Sequence, residues 1–283
     1  MTDVWVCGEC HSINRQRDSR CYKCGAKQAA AATGEMATHR QEQAIALRSV
    51  VGYRPALPFA IAAAVFLFGL AAVAVAGMAS SLSLFSFATQ QLDVLKAGGA
   101  LDEASWARFE SSDDALGIVQ IAIIVPLLVF FGLWLSRVVA NVPALGGGIP
   151  GITPANALIR TLIPGVNLRT VPGVIHDVLY RLDPTGGGFF MVAAAWVGLV
   201  GSWLIRVIAR WYLNARTFGD VVNARSLDEA VESVRTDVTA AVAVDVVTGI
   251  LIAAGALILI ALMIRIEMRS QARDAEVRAV AGV

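Results

Sequence analysis

Charged residues are scarce in this sequence. Only 16% of its 283 residues are Asp, Glu, Lys or Arg, whereas 57% are hydrophobic. A soluble domain usually has roughly a quarter of its residues charged. The charges that are present are clustered, and long stretches between the clusters carry none. This distribution is typical of an integral membrane protein, and the net charge of +1 gives no sign of a nucleic-acid partner.

Histidine, lysine and cysteine are also rare. The three histidines are His11, His39 and His176, and none stands beside a nucleophile or an open metal site, so we expect no enzyme activity. The chain has 20 arginines against 3 lysines, which favours a GC-rich bacterial source. All four cysteines lie within residues 7–24, so none is left for a disulfide in an exported region.

Four apolar stretches are long enough to cross a membrane, because a helix needs about 20 apolar residues to do so. The spans are predicted at about residues 58–80, 115–136, 188–211 and 239–264. The expected fold class is therefore an all-α membrane protein with about four transmembrane helices and short interfacial helices. The lipid bilayer is its first partner, and assembly into a homo-oligomer stays open.

Arginine and lysine are unevenly shared among the segments that flank these spans. Residues 1–54 hold eight of them, and residues 137–187 have a net charge of +2. The connections 81–114 and 213–238 have net charges of −4 and −2. Because cytosolic segments are enriched in Lys and Arg, both termini are predicted to be cytosolic, in the inner membrane of a bacterium.

Three charged residues lie inside the predicted spans. Arg206 and Arg210 are near the outer end of the third span, and Asp245 lies at a matching depth in the fourth. Such charges usually pair or face a wet cavity, so we predict an ion pair between Asp245 and Arg206 or Arg210. In the alternative interpretation, the arginines extend to the outer headgroups and Asp245 faces water.

A spacing of i, i+3, i+7 occurs twice in the spans and places each set of residues on one helix face. The two sets are Trp203, Arg206 and Arg210, and Trp134, Arg137 and Asn141. Each face is either an interfacial anchor with a buried polar contact or a functional face.

The connection 137–187 is too apolar for a simple loop. Thr153 and Pro154 predict the N-cap and first turn of a short helix that ends at Leu162. A second short helix is predicted from Pro172 to Leu182. Both are too short to cross a membrane, so they are predicted to be interfacial or re-entrant.

Two Cys-x-x-Cys pairs occupy the N-terminus, where Cys7 and Cys10 are separated by ten residues from Cys21 and Cys24. Zinc favours four thiolates in a tetrahedron, and this spacing lets both pairs close on one ion. Backbone amides that follow the first cysteine of each pair can bond to its sulfur. The spacing therefore predicts a structural zinc finger, with redox cysteines or an iron site as the alternatives.

Further residues of this segment carry a family resemblance. The pattern Trp-x-Cys-x2-Cys-x3-Asn-x6-Cys-x2-Cys is filled by Trp5, Cys7, Cys10, Asn14, Cys21 and Cys24. It resembles the zinc finger of the Ran-binding-protein type, whose members bind ubiquitin or single-stranded RNA. The resemblance implies that Trp5 is a packing residue and that Asn14 stabilises a turn.

Neither ligand signature of that family is complete in this chain. Where the ubiquitin-binding version has Thr-Phe, this chain has His11 and Ser12. Where the RNA-binding version has an aromatic residue after the asparagine, this chain has Arg15, whose guanidinium can also stack on a base. A contact with a cytosolic protein is thus favoured over RNA.

A second resemblance covers roughly residues 55–265. Its motifs, in order, are Trp134-Leu135-Ser136-Arg137, Asn141, Ala144-Leu145-Gly146, Thr153-Pro154, Ile163-Pro164, Asn167-Leu168 and Pro172. They resemble those of an uncharacterised family of bacterial four-helix membrane proteins with a domain of unknown function. The resemblance implies no activity.

Four segments and three functional hypotheses follow. A zinc finger (residues 1–27), a linker (28–54), a membrane domain (55–265) and a cytosolic tail (266–283) are predicted. We expect a membrane-anchored interaction or regulatory protein whose finger recruits a cytosolic protein. The alternatives are a subunit of a small oligomeric transporter or channel, and a membrane tether for single-stranded RNA.

Overall fold

The computed structural model describes residues 4–7, 12–15, 20–21, 23, 52–163, 165–183 and 188–281. Strands β1 (Val4–Val6) and β2 (Ile13–Arg15) form an antiparallel pair, with Trp5 opposite Asn14. Nearly all the other described residues are helical. The helices are α1 (Leu57–Lys96), α2 (Glu103–Asn141), α3 (Pro154–Leu162), α4 (Val166–Leu182), α5 (Phe189–Trp196), α6 (Ser202–Asn223) and α7 (Leu227–Ala281).

Four helices are long and apolar enough to cross a membrane, which indicates a multi-pass membrane protein. The α5 and α6 helices count as one of them, because a π-helical stretch at Val197–Gly201 joins them without a break. Each of the four predicted spans falls within one of these helices, apart from Gly188 at the edge of the third.

The helices extend further than the predicted spans. The two acidic connections are mostly helical, and only residues 97–102 and 224–226 within them are not. Hydropathy marks only the apolar part of a helix. A helix continues beyond that part when its residues make packing contacts or ion pairs with a neighbouring helix. The Phe87 ring packs against the rings of Trp106 and Phe109, and Arg235 pairs with Asp93.

Local sequence explains where the long helices begin and end. Beyond α1, Gly98 adopts a φ of 79°, and Gly99 N–H donates to the Val94 carbonyl at 2.9 Å, which closes a Schellman motif. Asp102 then caps α2 by accepting from Ser105 N–H at 3.1 Å. The Ser105 hydroxyl also donates to Asp102, at 2.6 Å, and these two hydrogen bonds, the one from the hydroxyl foremost, hold the pKa of the Asp102 carboxyl below its usual value.

The short helices of the inner connection match one prediction and correct another. The α3 helix begins and ends as predicted, with the Thr153 hydroxyl accepting from Asn156 N–H at 3.3 Å. The predicted start of the second short helix at Pro172 was wrong. The α4 helix begins at Val166, because Gly165 reverses the chain with a φ of 81°, and Pro172 lies inside the helix.

The chain divides into two compact units. The first unit comprises Met1–Ile61, Leu128–Phe190 and Leu262–Val283, and the second comprises Ala62–Leu127 and Met191–Ala261. Large apolar side chains are fully buried in the first unit, among them Trp134, Leu135, Ile175 and Met263. The buried residues of the second unit are smaller on average and include Ala63, Ala71 and Ala256.

Candidate functional site

The described N-terminal residues form a small buried cluster of Trp5, Cys7 and Cys21. Asn14 is also buried, and its side-chain amide donates to the Ser12 carbonyl at 2.9 Å. The same carbonyl accepts from Cys7 N–H at 2.9 Å. Trp5 is therefore buried beside two cysteines, and the side chain of Asn14 and the N–H of Cys7 share one backbone acceptor.

The surroundings of Cys21 suit a metal-bound thiolate. Its sulfur accepts from the backbone N–H of Lys23 at 3.4 Å and lies 2.9 Å from the Ser12 hydroxyl. An N–H bond from two residues downstream is the contact expected at the first cysteine of a Cys-x-x-Cys pair. Cys10 and Cys24 lie outside the described residues, among which no group of three or more His, Cys, Asp or Glu side chains could hold a metal.

A charged cluster lies in the second unit, where the structure brings together Asp245, Arg206 and Arg210. Arg206 Nε donates to Asp245 Oδ1 at 3.0 Å, and Arg210 Nη2 donates to Asp245 Oδ2 at 2.6 Å. The Ser81 hydroxyl also donates to Asp245 Oδ2, at 3.0 Å. The Asp245 side chain is only 5% exposed, so two arginines from α6 and a serine from α1 satisfy a buried carboxylate on α7.

This cluster lines a partly open cavity of about 520 Å³ whose wall is formed by residues of α1, α2, α6 and α7. Polar groups in its wall include Gln120, Asn214 and Asp113, whose carboxylate lies 3.9 Å from Arg210 Nη1. The rest of the wall is mostly apolar, and Trp211 is part of it. A few polar groups in an apolar wall of this size are typical of a small-molecule site.

Glycines create part of this space. Gly77 and Gly117 both line the cavity, and a Cβ added at either position would have no atom within 4 Å. A third lining glycine, Gly249, has a different role, because a Cβ there would come within 2.5 Å of Met78. Two of the glycines therefore leave the cavity open, and one permits close packing.

Another pair of glycines fixes the contact between α7 and the α5–α6 segment. A Cβ on Gly198 would lie 2.7 Å from the Leu251 carbonyl oxygen, and a Cβ on Gly255 would lie 2.9 Å from Leu199 N. Small residues allow such backbone contact in membrane helices. The Ser202 hydroxyl donates to the Gly198 carbonyl and so satisfies a backbone group inside the π-helical stretch. Short π-helical stretches of this kind are frequent at functional sites.

In the first unit, the face of Trp134 and Asn141 makes structural contacts. The Trp134 indole N–H donates to Glu267 Oε1 at 2.9 Å, and both side chains are buried. The Asn141 side chain accepts from Arg54 N–H at 3.1 Å and donates to the Arg54 carbonyl at 2.7 Å. These are the buried polar contacts of the first interpretation, but Trp134 is fully buried and is therefore not an interfacial anchor.

Two further polar features of the first unit, the ion pairs of Asp183 and the environment of Tyr53, were not predicted from the sequence. Asp183 is 6% exposed, and its Oδ2 lies 3.1 Å from Nη2 of both Arg265 and Arg269. Tyr53 is partly buried, and this burial, with Glu267 and Asp274 nearby, raises the pKa of its phenol above the ordinary value of 10.0.

Sequence reasoning also missed Ser81 of the charged cluster and Asp113 and Gln120 of the cavity wall. The sequence signal that could have indicated the cavity is the presence of Gly77 and Gly117 in predicted spans. Glycine is unfavourable in a helix unless open space or a close contact requires it. Which helix faces meet cannot be read from single spans.

Residues 97–268 of the chain match the family described as Domain of unknown function (DUF4328). The match contains Asp245, Arg206 and Arg210 but none of the four cysteines. No curated protein and no solved structure matches the chain.

Proposed function

The chain belongs to the DUF4328 family, a domain of unknown function, and from that premise we propose that it is a membrane-anchored interaction protein. A zinc finger at its N-terminus recruits a cytosolic protein, and the four long helices hold that finger at the membrane. The proposal assigns no catalytic activity to the chain. It depends on the finger, since the finger is the segment whose sequence resembles a family of binding modules.

The observation that carries this proposal is the environment of Cys21. Its buried sulfur accepts the Lys23 N–H, beside buried Cys7 and the indole of Trp5. Zinc held by Cys7, Cys10, Cys21 and Cys24 would be closed to substrates and would supply the stability that so small a core lacks. The recognition surface is then the exposed exterior of the finger rather than the metal.

The proposed topology places both termini in the cytosol of a bacterium, with the chain in the inner membrane. Support comes from the eight Lys and Arg of residues 1–54 and from the acidic character of residues 81–114 and 213–238. Under this topology, the finger faces cytosolic proteins in a reducing compartment that keeps its thiols available for zinc.

The test compares the full-length chain with Cys21→Ser, and Lys23→Ser is the matched control. Lys23 is exposed, and its hydrogen bond to Cys21 comes from its backbone N–H, so we expect its side chain to be dispensable for the site. Each protein is extracted in mild detergent, its bound zinc is measured, and co-purifying molecules are identified by mass spectrometry. We expect about one zinc per chain in the wild type and the control, and loss of both zinc and a specific protein in Cys21→Ser.

Two outcomes would contradict the proposal. An unchanged set of co-purifying proteins in Cys21→Ser would show that the finger is not the recruiting element. RNA that co-purifies in a salt-sensitive manner, in place of a protein, would support the tether hypothesis instead.

The cavity supports a second candidate, a subunit of a small oligomeric transporter or channel. Charged residues in membrane helices often mark the route of an ion or solute, and Arg206, Arg210 and Asp245 line an open space. Four helices are few for a pore, so the chain would have to oligomerise. Flux of a solute into liposomes containing the wild type, lost in Arg206→Gln, would favour this candidate over the first.

A further inference from the structure

The cavity of the second unit presents more hydrogen-bond donors than its own acceptors use. Arg206 bonds to Asp245 only through Nε, so within the described part of the chain its two terminal nitrogens make no hydrogen bond. Arg210 Nε is buried and also has no hydrogen-bond partner among the described residues. A guanidinium carries several donors and no acceptor, so the group that completes these arginines must be an acceptor.

The acceptors already present do not fill this role. Both oxygens of Asp245 are engaged, by Arg206 on one side and by Arg210 and Ser81 on the other. Asp113 lies 3.9 Å from Arg210 and is 61% exposed, so its contact is loose and open to solvent. Asp245 therefore orients the two arginines, and the donors that it does not use, Arg210 Nε and the terminal nitrogens of Arg206, are directed to a bound oxyanion.

The rest of the wall indicates what else the ligand carries. Leu70, Val73 and Ile252 line the cavity together with the indole of Trp211. Gly77 and Gly117 keep the space beside these side chains open. The site thus offers guanidinium groups for an oxyanion next to apolar surface for a hydrocarbon portion, within about 520 Å³.

We propose that this cavity binds an amphiphilic oxyanion, with the anionic group on Arg206 and Arg210 and the hydrocarbon portion against Leu70, Val73 and Ile252. The chemistry is shared by the phosphate headgroup of a membrane lipid and by a free organic anion. The inference does not depend on the finger, because every residue that carries it lies between residues 70 and 252.

The test is a titration of the purified full-length chain with hexyl phosphate in a non-ionic detergent, followed by the melting temperature from tryptophan fluorescence. We expect a saturable rise in the melting temperature of the wild type. Gly117→Leu adds a side chain at the cavity wall without removing a charge, and it should weaken the apparent affinity at least tenfold. Gly219→Leu is the matched control, because a Cβ there also meets open space but outside the cavity, and it should bind as the wild type does.

Arg206→Gln tests the anionic group separately and should also weaken binding at least tenfold. If this variant fails to fold, Gly117→Leu still decides the question, since its charges are intact. Two further titrations distinguish the ligand sources. Tighter binding of a short-chain phosphatidylglycerol than of hexyl phosphate indicates a lipid headgroup, and tighter binding of hexyl phosphate indicates a free organic anion. Inorganic phosphate that binds as tightly as hexyl phosphate would show that the hydrocarbon portion adds nothing, and it would overturn the amphiphilic assignment.

Either source supports the site. The proposal is overturned if none of the three anions gives a saturable shift in the wild type. It is equally overturned if Gly117→Leu responds to hexyl phosphate as strongly as Gly219→Leu, because the shift would then arise outside the cavity.

Discussion

The two units of this protein use buried polar residues in different ways. In the first unit, the Trp134 indole donates to Glu267 Oε1, and Glu267 Oε2 is buried without a hydrogen-bond partner among the described residues. Asn141 uses both its side-chain oxygen and its side-chain nitrogen on the backbone of Arg54. In the second unit, Asp245 forms ion pairs with two arginines beside an open cavity, and some N–H groups of these arginines have no hydrogen-bond partner among the described residues. Hydrogen bonds between buried groups stabilise a fold, whereas a charged cluster that lines a cavity and has unused donors leaves room for a ligand.

The two units also differ in how their apolar residues fill the interior. The first unit buries large side chains such as Trp134 and Ile175, which fill its interior. The second unit brings helix backbones together at Gly198 and Gly255 and leaves space beside Gly77 and Gly117. Four substitutions test this contrast, beginning with the largest expected effect.

Gly255→Leu should abolish folding of the second unit. A side chain there would meet the backbone at Leu199 N and at the Ala195 carbonyl, and backbone cannot move aside as a flexible side chain can. We expect almost no monodisperse protein after detergent extraction and size-exclusion chromatography. Gly219→Leu adds the same side chain to open space and should give wild-type yield. Equal yields of the two variants would refute the close contact.

Asp245→Asn should destabilise the chain by about 2 kcal/mol, since it leaves two arginines without their buried carboxylate. The expected readout is a lower melting temperature and a lower yield of folded protein from membranes. Asp114→Asn removes an exposed carboxylate of α2 and serves as the control. Melting that is the same in both variants would mean that the charge cluster contributes no stability.

Trp134→Phe should cost about 1–2 kcal/mol, because an aromatic ring is kept while Glu267 loses its donor. Glu267→Gln retains an acceptor for the indole and should cost less. A double-mutant cycle with Glu267→Leu measures the coupling by thermal melting. If Trp134→Phe is as costly in the Glu267→Leu background as in the wild type, the indole–carboxylate bond is not the source of the effect.

Gly117→Ala should have the smallest effect, a gain of about 0.5–1 kcal/mol, because alanine favours the helix and its Cβ meets open space. Gly249→Ala makes the same change where a Cβ would collide with Met78, and it should lose stability. The two melting temperatures should therefore move in opposite directions. A loss in Gly117→Ala would show that the cavity wall is closed at that position.

Local signals in the sequence predicted local features of the fold. Thr153 followed by Pro154 located the start of α3, since an N-cap and a first-turn proline act within one turn of helix. Long uncharged runs located the four helices. The predicted start at Pro172 was wrong, because proline is unfavourable but not excluded inside a helix, and Gly165 determined the start of α4 instead.

The sequence by itself determined a multi-pass, largely helical membrane protein and indicated that Asp245, Arg206 and Arg210 need partners, because an uncharged run must meet lipid and a charge inside it must be compensated. Only the tertiary structure decided that both arginines share one carboxylate with Ser81 and that Gly117 faces open space. These features depend on which faces of separate helices meet, and that choice depends on packing over residues far apart in sequence.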